Sequence, residues 1–106
     1  MLVSLPTKNG NIDFELDTSA YADYRFEVHF SEQLKCSFQE FLKKTANAGP
    51  KANYLDALKI LYCYLESDKA PTFKSFTKLF TSEHAECILT KLAEVFEQVF
   101  NSAIKN

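Results

Sequence analysis

Between Asn53 and Ser67 the chain reads NYLDALKILYCYLES, and from Tyr54 to Leu65 only Asp56 and Lys59 carry charge. Leu55, Leu58, Leu61, Tyr62 and Leu65 recur at three and four residues, which fits a helix better than a buried strand. Ile60 and Tyr64 extend the apolar cover over most of the circumference. A helix apolar nearly all round has to be surrounded, so the other segments are expected to pack onto this one. At about 13 residues it is too short to span a bilayer, which needs roughly 20. The stretch therefore predicts a core and carries no chemistry of its own.

The flanking segments supply the packing partners. Ile12, Phe14 and Leu16 alternate with Asp13, Glu15 and Asp17 after an Asn9-Gly10 pair, the favoured centre of a type I′ hairpin turn. Pro6 cannot donate to a ladder, which makes the first strand short or an edge. Residues 18–30 fit two readings. Tyr24, Phe26, Val28 and Phe30 alternate like a strand; alternatively a helix capped by Asp17 or Thr18 has Tyr21, Tyr24 and Val28 on its inner face. Ala20 and Ala22 tilt the reading toward the helix. Ser31 can cap the next helix, with Leu34, Phe38, Phe41, Leu42 and Thr45 as its buried stripe and Gly49-Pro50 as its stop. The central helix is expected to end near Asp68, before Lys69-Ala70-Pro71. Thr72 can cap a short helix bearing Phe73, Phe76, Leu79 and Phe80. Thr81 or Ser82 can cap a terminal helix of about 22 residues, roughly 33 Å long. Its apolar residues, from Ile88 and Leu89 to Phe100, Ala103 and Ile104, form a stripe wider than one core face needs.

The expected fold is thus mainly α: four to five helices around a central buried helix, with a short N-terminal β-hairpin. One domain is expected over 1–106, the hairpin in 1–17 and the helices in 18–106. A chain of 106 residues buries enough surface to fold without disulfides or metal. Cys36, Cys63 and Cys87 are three at wide spacing, which is no disulfide framework and suits a reducing cytosol. The N-terminus lacks the basic and apolar regions of a signal peptide, so a cytoplasmic location is expected.

Chemistry-bearing patterns are few. His84 and Cys87 sit at helical spacing with Glu83 and Glu86 nearby, but no second ligand pair completes a zinc site. No Ser or Cys stands in a nucleophile motif, carboxylates such as Glu94 and Glu97 are spaced like a solvated face, and two glycines cannot build a phosphate loop. No catalytic residue, metal, cofactor or small-molecule substrate is expected. Nucleic acid is an unpromising partner: net charge is −2, and the helix that would enter a groove begins Glu83-His84-Ala85-Glu86. Charge is nevertheless blocked. Six acids against Lys8 and Arg25 leave −4 through Leu34, eight lysines against four acids leave +4 from Lys35 to Lys78, and the rest carries −2. Such blocks favour a head-to-tail contact between copies of the chain.

The order of segments resembles a known family. An acidic ELDTSAYADYRFEVHF opening, AGPKANYLDALKILYCYL, and SDKAPTFKSFTKLF before a long terminal helix resemble the small tail assembly chaperones of long-tailed bacteriophages, in particular those of Gram-positive hosts. The likeness covers most of the chain and rests on size, order and patterning. It implies a non-enzymatic protein of the infected cell's cytoplasm that self-associates and coats the tape measure protein before tail tube subunits polymerise around it. Such a function needs surplus apolar helix surface. The candidates are Phe73, Phe76, Leu79 and Phe80 on the short helix and Phe96, Val99, Phe100 and Ile104 on the terminal one. The alternatives are a small cytosolic adaptor with one partner groove, and an enzyme, which would require a polar pocket of perturbed titratable groups.

Overall fold

In the computed structural model, which describes residues 1–66 and 70–105 and the side chains through Phe100, a hairpin leads into six α-helices. Strands β1 (Leu2–Thr7) and β2 (Gly10–Glu15) pair antiparallel, with Val3 opposite Phe14 and Leu5 opposite Ile12. Asn9-Gly10 is not the turn's centre as expected. Thr7 pairs with Gly10, so Lys8 and Asn9 make the connection, and only Gly10 takes positive φ, at +99°. Gly10 follows this two-residue connection at a positive φ that glycine adopts without steric cost. The Thr7 hydroxyl fixes it, accepting from the Asn9 N–H at 3.1 Å and donating to the Gly10 carbonyl at 2.6 Å. Val3 and Leu5 are buried where β1 lies against the last helix.

Helix α1 (Tyr21–His29) settles the ambiguity of 18–30. Neither Asp17 nor Thr18 caps it as expected. Asp17 accepts from the Ser19 N–H, and Ser19 Oγ accepts from the Tyr21 N–H. Its inner face is also the other one: Ala22, Arg25 and Phe26 are buried, while Tyr21, Tyr24 and Val28 face solvent. Burying Phe26 places its ring among Phe30, Phe38 and Phe41, at centroid distances of 5.8, 5.2 and 5.5 Å.

The helix expected from Ser31 is two. After α2 (Ser31–Leu34), Lys35 turns left-handed at φ 54°, and α3 (Phe38–Ala48) starts afresh under Ser37. Ser37 Oγ accepts from the Glu40 N–H while Glu40 accepts from the Ser37 N–H, a reciprocal cap. Phe38, Phe41, Leu42 and Thr45 form its buried stripe, as predicted. Gly49, at φ 56°, ends it by donating to the Thr45 and Ala46 carbonyls, and Pro50 follows in a 3-10 turn.

Helix α4 (Tyr54–Tyr64) is capped by the Asn53 side chain, and Ala57, Leu58 and Ile60 through Tyr64 are buried. It is packed by α1, α3, α5 (Phe73–Thr77) and α6 (Ala85–Lys105). It stops earlier than expected: Leu65 is already extended and bridges Leu16, and the Glu66 N–H donates to the Glu15 carbonyl at 3.1 Å. The chain thus adds a strand-like stub beside β2, tying the hairpin to the helices. The expected end at Ser67–Asp68 and the break at Lys69 lie outside the described residues. Thr72 caps α5 as predicted, accepting from the Ser75 N–H. Helix α6 begins after a 3-10 turn at Ser82–His84, not directly from Thr81 or Ser82. Among the described residues no helix is long and apolar enough to cross a membrane.

Candidate protein-docking groove

The terminal helix has a wide apolar stripe because it faces two ways. Ile88, Leu92 and Val95 are buried on the side packed by α4 and β1. One position along, Leu89, Ala93, Phe96 and Phe100 follow the same three-and-four rhythm on a face rotated by about 100°. That second face lines a groove of about 540 Å³. The opposite wall is the end of α3 and the turn after it: Thr45, Ala46, Gly49, Pro50 and Ala52. The stop that ends α3 therefore also builds the wall, since Gly49 and Pro50 turn the chain alongside α6. Small side chains at Ala46, Ala52 and Ala93 leave the trough open. Phe96, 8% exposed, forms its floor, and Phe100, 38% exposed, stacks on Phe96 at 5.5 Å near its end. Glu86 and Glu97 stand exposed on the rim.

The expected interface residues separate. Phe76 is fully buried and Phe80 nearly so, with Phe76 against Phe14, Tyr62 and Phe80 at 5.8, 5.6 and 5.0 Å. Phe73 packs edge-on to Phe30 at 5.0 Å, and Leu79 is half-buried against the same core. The short helix ends at Thr77, so Leu79 and Phe80 follow it instead of lying on it as expected, and all four side chains pack against the core. Phe96 and Phe100 line the groove, Val99 is half-buried against the core, and the side chain of Ile104 lies outside the described residues. The wall residues Ala46, Pro50 and Ala52 and the floor residue Ala93 escaped sequence reading, whereas Leu89 belonged to the terminal helix's apolar stripe. Alanines and a proline give no apolar period, and only the fold brings residues 45–52 beside 86–100.

Elsewhere the reactive groups are spent on structure. Cys63 is buried and its thiol is pushed up to about 12 by desolvation, which keeps it an unreactive thiol. His84 Nδ1 lies 3.4 Å from Thr81 Oγ1, Cys87 is exposed, and no cluster of metal-ligating side chains forms among the described residues. Among the described residues lining a second concavity of about 510 Å³, which include Asp13, Phe14, Glu15, Leu65 and Glu66, no nucleophile is paired with a base. Among the described residues the groove's polar side chains are two threonines and two rim carboxylates, suited to aligning a ligand laid over an apolar floor.

Comparison with known proteins returns no matching family model, no matching curated relative and no matching solved structure.

Proposed function

We propose that this chain is a non-enzymatic tail assembly chaperone of a long-tailed bacteriophage. It holds helical, apolar segments of the tape measure protein in the cytoplasm of the infected cell until tail tube subunits polymerise around them. The observation that carries the reading is the α3–α6 groove. From Glu86 to Phe100 it follows 15 residues of α6, about 21 Å, enough for some four turns of a partner helix. Packing around α4 leaves Ala93 and Phe100 on this second face of α6 exposed, and the order of segments supports the tape measure protein as the client. Self-association extends the coat along a long client.

The test is to refold an aggregation-prone tape measure protein from a phage of a Gram-positive host with increasing amounts of this chain. Light scattering should fall to the baseline in a saturable way. Scattering unaffected by a large excess would reject the chaperone reading. A second reading, a cytosolic adaptor for one partner helix, is favoured by the groove's dimensions alone. It requires a monomer or dimer over the concentration range where a chaperone assembles further.

A further inference from the structure

The groove selects its occupant by charge. We propose that it takes an amphipathic helix from a different protein, one whose apolar stripe is flanked by lysine or arginine. The inference rests on the client-binding reading above and narrows the class of segment bound.

Three features carry it. Among the described residues, those lining the groove include Glu86 and Glu97 and no lysine or arginine, although one wall comes from the lysine-rich middle of the chain. Neither carboxylate forms an ion pair among the described residues. The two stand eleven positions apart on α6, about 17 Å along its axis, one near each end of a floor made by Leu89, Ala93 and Phe96. A helix laid along that floor brings residues one or two turns outside its apolar anchors to the two carboxylates. Cations there are complementary, and anions are repelled.

The same rim argues against a second copy. Among the described residues outside the groove, α1 carries three of the exposed large apolar side chains, Tyr21, Tyr24 and Val28, and Asp23 and Glu27 lie among them. Docking it in the groove would set carboxylates against carboxylates. Like charges brought together at an interface act against that pairing more strongly than rim attraction favours a correct one.

The test uses two synthetic peptides of about five helical turns with one leucine stripe, flanked by lysines in one and glutamates in the other. Fluorescence anisotropy titrations are run with the full chain, the Glu86→Lys/Glu97→Lys double variant and Ala93→Trp. The lysine peptide should bind about tenfold tighter than the glutamate peptide, with the difference shrinking as salt rises. The double variant should reverse the preference, and Ala93→Trp, which fills an open trough, should abolish binding of both. Circular dichroism melts verify each variant's fold. If Ala93→Trp does not fold, the rim variant alone decides. Equal affinities, a preference for the glutamate peptide, no binding at all, or binding untouched by the folded variants would overturn the proposal. So would groove variants that dissociate self-assembled protein, since a second copy would then be the occupant. Loss of charge preference with tape measure solubilisation intact rejects this inference alone, whereas intact preference without solubilisation rejects the chaperone reading alone.

Discussion

Arg25, the single arginine, is 6% exposed. Its Nη1 donates to the Tyr62 carbonyl at 3.0 Å and the Leu65 carbonyl at 2.6 Å, and its guanidinium stands over the Tyr21 and Tyr62 rings. Those carbonyls belong to the end of α4, where a cation is favoured; the Tyr62 carbonyl also accepts from the Leu65 N–H at 3.2 Å. Arg25→Met keeps apolar volume but strips both carbonyls of this donor, so it should cost about 2–4 kcal/mol. The urea midpoint reads this, and an unchanged midpoint would remove Arg25 from the structural account. The neighbouring side chains set an alkaline limit. Burial pushes the Cys63 thiol from 9.0 and the Tyr64 phenol from 10.0 each up to about 12, and raises Tyr62 as well. The folded state thus keeps protons that the unfolded chain releases. Stability from these groups is complete below about pH 9 and is lost as pH climbs toward 12, at up to roughly 1.4 kcal/mol per pH unit per group. Tyr64→Phe should flatten that slope in melts across the window, whereas an identical slope would locate the alkaline loss elsewhere.

Among the elements, α4 was the most legible, because a helix apolar on nearly every face admits few other roles. Leu58 and Leu61 are fully buried, and truncating either to Ala should cost about 2–5 kcal/mol through lost burial plus a cavity. A thermal midpoint unmoved by both would contradict the packing described. Legibility failed where the decisive interaction was polar or distant. In α1 the apolar period named Tyr21, Tyr24 and Val28, yet Ala22, Arg25 and Phe26 won the interior. Arg25 had an α4 terminus to cap, a reward invisible in one segment's hydropathy. Between α2 and α3 the signal was present but overlooked. Ser37 three residues before Glu40 is a capping pair, and reading it would have divided the helix at Lys35. In α6 the width of the stripe was visible, whereas the groove needed residues 45–52 folded alongside it. The interior role of Phe76 depended likewise on the hairpin supplying Phe14.

At the scale of the whole molecule, the groove and the exposed face of α1 are two different patches, which is what a head-to-tail assembly with a separate client site requires. The α1 face is apolar at Tyr21, Tyr24 and Val28, and Asp23 and Glu27 make it acidic. Its complement within the chain is the exposed lysine set Lys43, Lys44 and Lys51 of α3 and the following turn. A contact joining these two patches repeats without closing unless its rotation happens to close, giving rings or spirals able to follow a long client. In such a contact rim charges would set orientation and rate, since exposed pairs contribute only about 0–1 kcal/mol each, and burial of the tyrosines would supply the larger part. Sedimentation of the wild-type chain should therefore show assembly growing with concentration and weakened modestly by salt. Tyr24→Asp places a charge where the contact becomes buried. It should reduce assembly size while leaving the unfolding free energy of the monomer within about 0.5 kcal/mol of wild type, because that side chain is solvent-facing in the monomer. Phe100→Asp should instead weaken peptide binding in the groove and leave assembly intact. Wild-type protein that stays monomeric at high concentration would reject self-association outright. If Phe100→Asp breaks the assembly and Tyr24→Asp spares it, α6 replaces α1 as the contact, and the groove loses its separate role with it.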